Sequence, residues 1–165
     1  MRFFHRVFQL IGWTMAMSSF PAMLAFGADA ANEAAFFNPE QIKWGDAPPS
    51  LPKGARFAVL HGDPGKPGLY ALRLSLPSGY NLPAHWHTQA EQLTIISGTF
   101  YLGSGDKADP SAEHAIKTGG FHYLPPKAHH YAFTKSQTVV QVTGEGPFDI
   151  HYVNADEDPR KGGKK

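Results

Sequence analysis

The sequence predicts an all-β sandwich or barrel, and three observations carry that prediction. Short runs rich in β-branched and aromatic residues recur through the second two-thirds of the chain, few residues fall at helical spacing, and turn clusters separate the runs. The first runs are 55–60 and 69–76, punctuated by His61-Gly62-Asp63-Pro64-Gly65. In the second of these Tyr70, Leu72, Leu74 and Leu76 alternate, which makes one apolar face and turns Arg73 toward solvent. Pro77-Ser78-Gly79 ends it; 91–96 and 99–102 follow, closed by Gly103-Ser104-Gly105-Asp106. The last runs are 120–124, 131–134, 138–143 and 148–153, with Gly144-Glu145-Gly146-Pro147 before the final one. No internal repeat or linker divides this region, so it reads as one β domain. Residues 32–42, ahead of the first strand, are expected to form a short helical or irregular segment.

The ends of the chain read differently. Arg2, His5 and Arg6 make a basic start, an apolar run covers 7–26, and Ala25-Phe26-Gly27 or Ala28-Asp29-Ala30 offers a small-x-small cleavage site. That order is the pattern of a secretory signal peptide over 1–30. The rival reading is a retained membrane anchor, since the run approaches the length of a spanning helix. Gln9, Thr14, Ser18, Ser19 and Pro21 dilute it and favour cleavage. The protein is therefore expected to be periplasmic or secreted, with no membrane contact after cleavage. Cleavage leaves about 135 residues, enough to bury about two-thirds of the unfolded surface. Residues 31–55 form an extension leading into the domain, and 155–165 a polar tail ending in Lys164-Lys165.

Composition excludes several functions. There is no cysteine, hence no disulfide framework and no thiol nucleophile. The net charge of +1 leaves no footprint for nucleic acid.

Chemistry concentrates in 79–98, Gly-Tyr-Asn-Leu-Pro-Ala-His-Trp-His-Thr-Gln-Ala-Glu-Gln-Leu-Thr-Ile-Ile-Ser-Gly. On a strand, His85 and His87 point to one side and Trp86 to the other. After a turn at 88–90, Glu91 shares its face with Leu93 and Ile95. If that face is interior, Glu91 is a carboxylate heading an apolar column, which is costly unless a cation accompanies it. Two imidazoles and a metal ion meet that need. Neutral imidazole nitrogen and carboxylate oxygen together suit a divalent transition metal such as Fe, Mn, Zn or Ni.

The spacing Gly79, His85, His87, Glu91, Gly98 is similar to the first sequence motif of the cupin superfamily, without a gap or substitution at a key position. A second stretch, 119–130, resembles the second cupin motif, with its glycine at Gly119, its proline at Pro125 and its metal-binding histidine at His130. It departs at Lys127, where the family usually has glycine, and at Thr134, where it often has asparagine. The resemblance spans roughly 56–153. It implies a double-stranded β-helix, the jelly-roll barrel of RmlC-like proteins, over 56–154. It also implies a metal site of His85, His87, Glu91 and His130, and places His129 on the opposite face. His122 is expected to pack against aromatics or line the interior. His61, His114 and His151 fall outside both motifs and read as surface or loop residues. Gln92 faces away from the site, and Tyr80, Phe100, Tyr123, Tyr131 and Phe133 read as core aromatics.

Four protein ligands on an octahedral ion leave two positions free, whereas on tetrahedral zinc they close the site. Two functions follow. The first is an exported metalloenzyme acting on a small molecule through enolate, carboxylate or catecholate oxygens, with oxygen-dependent oxidoreductase chemistry favoured among the reactions that similar cupins perform. The second is a non-catalytic module that senses, stores or is held together by metal or a small ligand, a reading motivated by the lack of a general base outside the ligand set. A homodimer fits either function.

Overall fold

The computed structural model describes residues 34–109, 111 and 113–161. The signal peptide read at 1–30 lies outside them. Within the described residues the fold is almost entirely β. The strands are β1 (Gly45–Asp46), β2 (Arg56–His61), β3 (Gly68–Leu76), β4 (Asn81–Trp86), β5 (Glu91–Ser97) and β6 (Thr99–Ser104). They continue as β7 (His114–Lys117), β8 (Phe121–Leu124), β9 (His130–Thr134), β10 (Thr138–Gly146) and β11 (His151–Tyr152). Two antiparallel sheets result, one ordered β1-β2-β3-β10-β5-β8 and the other β11-β4-β9-β6-β7.

Alternation in the sequence becomes the core through register. β10 lies between β3 and β5, and sets Val142 beside Leu72 and Leu93, and Val140 beside Leu74 and Ile95. All six side chains are buried. These two cross-strand rows place β-branched and leucine side chains on one pleated face, where each contributes about 1.5–3 kcal/mol by leaving water. Leu76, Tyr80, Phe100, Leu102 and Ala132 complete the same cluster, so both sheets supply it. Arg73 stands on the other face, its Nε donating to Gln141 Oε1 at 3.1 Å.

Residues 45–55 belong to this core as well. Leu51 and Ala55 are buried in it. Two tyrosines tie the segment down from the sheets: Tyr80 Oη donates to the Pro52 carbonyl at 3.0 Å and Tyr152 Oη to that of Ser50 at 2.7 Å.

Three local features go beyond the sequence reading or depart from it. The segment expected to be helical or irregular over 32–42 is, in its described part, extended chain with a single 3-10 turn at Pro39–Gln41. Pro39 starts it and the Asn38 N–H donates to Gln41 Oε1, but Phe36 and Phe37 are exposed and no buried face extends it. β7 pairs with β6 although its His-Ala-Ile-Lys sequence has a single large apolar residue and no alternation. Tyr123 is exposed on the outward face of β8 rather than in the core, and Phe121 beside it likewise.

The two departures from the second cupin motif are accommodated locally. Lys127 takes the left-handed conformation, φ 62°, that glycine adopts freely at such a turn. Its N–H donates to the His87 carbonyl at 2.9 Å, so the turn is anchored to the histidine strand. Because a side chain in that conformation costs about 1–2 kcal/mol, Lys127→Gly is expected to raise stability by about 1 kcal/mol, measured by urea unfolding. A loss of stability would show that the lysine side chain supplies contacts that outweigh the strain. Thr134 is buried, with Oγ1 donating to the Pro77 carbonyl at 2.6 Å.

Candidate metal centre

Each putting-in-place of a site side chain has a local cause. β4 and β9 are neighbours in the five-stranded sheet, and their register sets His85 directly opposite His130. A shift in that register between Leu82 and His85 leaves Ala84 and His85 both buried, which strict alternation would forbid. His87 follows the end of β4 and also turns inward. Glu91 opens β5 in the facing sheet, with Leu93 and Ile95 below it on the same buried face. The two walls of the barrel therefore carry different donors: imidazoles on one, the carboxylate on the other.

The ligand atoms that His85, His87 and His130 can offer lie within 4.8 Å of one another, and all three residues are buried. Their tautomers are set by backbone carbonyls. His85 Nδ1–H donates to the Pro83 carbonyl at 2.7 Å, His87 Nδ1–H to that of Asp149 at 2.5 Å, and His130 Nδ1–H to that of Ala128 at 3.0 Å. In the neutral ring each Nε2 thus keeps its lone pair and points it into the cluster. Burial, reinforced by the neighbouring imidazoles, holds His85 well below the ordinary histidine range. Burial also lowers His130, against a partial upward pull from the Glu91 carboxylate.

Glu91 flanks this cluster rather than lying inside it. Its Oε1 is 3.6 Å from His87 Nε2, and its Oε2 is 3.7 Å from His130 Nε2. Both separations exceed hydrogen-bonding distance, so no proton is shared. His87 Nε2 is buried and has no hydrogen-bond partner. Converging lone pairs beside a buried carboxylate are mutually unfavourable unless a cation lies among them. Imidazoles oriented through Nδ1 by an acceptor are also the arrangement metal-ligating histidines adopt. The donor set therefore fits a divalent transition ion, with His85, His87 and His130 as its compact core.

The remaining histidines separate cleanly. His129 points away from the cluster, its Nδ1 2.6 Å from Asp106 Oδ1. His151 stacks on Trp86, 4.1 Å between ring centroids, and bonds Asp149 Oδ2 at 3.0 Å. His61 and His114 are exposed. His122 is different: it is buried, lies parallel to the Phe100 ring, and has Nε2 3.8 Å from Glu91 Oε2. Burial lowers its pKa to about 4, so the ring is neutral at neutral pH.

Sequence reasoning missed the groups that orient the rings. Two of the three acceptors are carbonyls two residues before the histidine they hold, at Pro83 and Ala128. The third comes from Asp149, whose carboxylate also accepts from the Thr88 N–H and hydroxyl. Phe148 packs against His87 at 5.1 Å between ring centroids. The cluster borders a narrow cavity of about 20 Å³, whose other walls include Leu74, Leu82, Phe100, Phe148 and Ile150. Its chemistry is an apolar chamber with one polar end.

Against known proteins, residues 32–149 match the model of the ChrR cupin-like domain. The chain belongs to that cupin family. Structures similar to this cupin include the polyketide cyclase RemF from Streptomyces resistomycificus, with a TM-score of 0.63, 15% identity, and 78% of this chain and 92% of that one covered. A protein provisionally assigned as an acetylacetone dioxygenase from Methylibium petroleiphilum gives a TM-score of 0.58 at 17% identity, covering 75% and 83%. An RmlC-like cupin from Shewanella frigidimarina gives 0.53 at 17% identity, covering 68% and 91%. At these identities the likeness is one of fold. No curated protein sequence matches the chain.

Proposed function

We propose that this cupin is an exported, metal-dependent enzyme that acts on a small molecule carrying chelating oxygens, with dioxygen as its oxidant. The observation that carries the proposal is the orientation of three buried imidazoles, each tied through Nδ1 to a carbonyl, around one point at the polar end of an apolar chamber. His85, His87 and His130 would hold the ion, and Glu91 would complete the set from the opposite sheet. A divalent transition ion there supplies Lewis acidity, open positions for substrate oxygens and, for iron or manganese, one-electron chemistry toward dioxygen.

The chain's own residues account for the rest. The carbonyls of Pro83, Asp149 and Ala128 keep the rings in one tautomer and one orientation. Leu74, Leu82, Phe100 and Ile150 exclude water and favour a substrate with an apolar body. Phe148 covers His87 on one face. That structurally similar proteins carry the names of a dioxygenase and a cyclase supports small-molecule chemistry without fixing the reaction.

A non-catalytic binding module is the second reading. It is favoured by the lining of the chamber, in which Glu91 is the one carboxylate among the described residues. Export is proposed from Arg2, Arg6 and the apolar run that follows them. No helix among the described residues is long and apolar enough to cross a membrane. A homodimer is proposed as well; it would cover Phe121 and Tyr123 on the outward face of edge strand β8.

Oxygen uptake by the iron-loaded protein tests the enzymatic reading. With a panel of small β-dicarbonyls, catechols and 2-oxo acids, at least one compound is expected to drive oxygen consumption that disappears in His87→Ala. Binding across the panel without oxygen consumption or product would favour the non-catalytic module.

A further inference from the structure

Among the described residues, His122 is the one buried histidine that has no partner for either ring nitrogen. It is 9% exposed, so neither nitrogen is compensated by open solvent. Leaving both a donor and an acceptor of a buried ring unpaired is expensive, and such groups have an explanation in a native fold. Packing alone does not supply one: a phenylalanine would stack on Phe100 equally well without the cost. Metal ligation does not explain it either. The three clustered imidazoles have Nδ1 fixed by a carbonyl, whereas His122 Nδ1 meets none. It also stands on β8, in the sheet that carries Glu91, facing the sheet that carries the cluster.

Charge narrows what His122 would meet. A divalent ion held by three neutral imidazoles and the Glu91 carboxylate leaves one net positive charge in a low-dielectric interior. A monoanionic ligand neutralises it, and a dianion would overshoot. We infer that His122 is a substrate-positioning residue, which donates a hydrogen bond from its ring to a monoanionic oxygen chelate, such as an enolate or hydroxamate, occupying the metal centre. This rests on the metal reading above and names the class of molecule that the site takes.

Cobalt(II) and acetohydroxamate together test it, since the visible spectrum of the ion reports both its own uptake and the arrival of the anion. Cobalt affinity is measured first, then the acetohydroxamate Kd, on the unsubstituted protein, His122→Phe and His122→Gln. In His122→Phe, cobalt affinity is expected to stay within about threefold, because no ligand or ring-orienting carbonyl is touched. The acetohydroxamate Kd is expected to rise about tenfold or more, the size of a lost hydrogen bond to a charged group. His122→Gln, which restores a donor, is expected to recover part of the loss. Retained cobalt affinity shows in the same experiment that the variants fold. An unchanged Kd in His122→Phe overturns the inference in favour of packing, and a parallel fall in cobalt affinity overturns it in favour of a metal ligand. If the unsubstituted protein takes up no cobalt, the metal reading itself falls and the inference with it.

Discussion

Replacing His87 with alanine is expected to reduce affinity for a divalent transition ion by more than about 100-fold, since loss of a ring-orienting partner alone costs 10–100-fold. The same substitution is expected to change the stability of the metal-free protein little. It removes the bond to the Asp149 carbonyl and the contact with Phe148, but it also removes a buried nitrogen that has no partner. Metal-free and metal-loaded melting curves separate the two effects. At an ion concentration of 100 Kd the unsubstituted protein gains about 2.7 kcal/mol, which corresponds to roughly 10 °C for a domain of this size. In His87→Ala that rise is expected to vanish while the metal-free melting temperature holds. Equal metal-dependent stabilisation of both proteins would remove His87 from the site.

The second large effect concerns the two glycines that bound the first motif. Both have positive φ, 76° at Gly79 and 84° at Gly98. Their surroundings differ. A Cβ at Gly79 meets nothing within 4 Å, whereas at Gly98 it would lie 2.6 Å from the Gln137 carbonyl oxygen and 2.7 Å from Thr138 Oγ1. Neither neighbour can move cheaply, because one is backbone and the other is a buried hydroxyl donating toward the Thr99 and Ser136 carbonyls. Gly79→Ala is therefore expected to cost about 1–2 kcal/mol, the backbone strain alone. Gly98→Ala adds a clash of about 1–3 kcal/mol, for a total of about 2–5 kcal/mol in urea unfolding. Equal costs would mean that the corner between β5 and β6 is looser than its packing implies.

These glycines illustrate what was legible in the sequence. Alternation predicted which faces of β3 and β5 are buried, because period-two patterning and burial are one physical fact seen twice. Spacing singled out Gly79 and Gly98, but not that one glycine avoids a clash and the other only strain; that depends on Gln137 and Thr138, some forty residues away in sequence. His130 was separable from His129 by its resemblance to a motif, and the register of β4 against β9 supplies the physical reason. β7 was invisible because its pairing with β6, rather than its own side chains, makes it a strand. The ring-orienting acceptors were invisible for a related reason: every residue has a carbonyl, and only the fold selects three of them. His122 looked like one more aromatic neighbour until its two unpaired nitrogens were placed 3.8 Å from Glu91 at the nearest.

X-ray absorption at the metal edge tests the central claim most directly. On protein loaded with one divalent transition ion per chain, the account predicts a first shell of nitrogen and oxygen with the multiple-scattering signature of three imidazoles, reduced to two in His87→Ala. Failure to load any such ion, or a shell with the signature of fewer than three imidazoles in the unsubstituted protein, would contradict it.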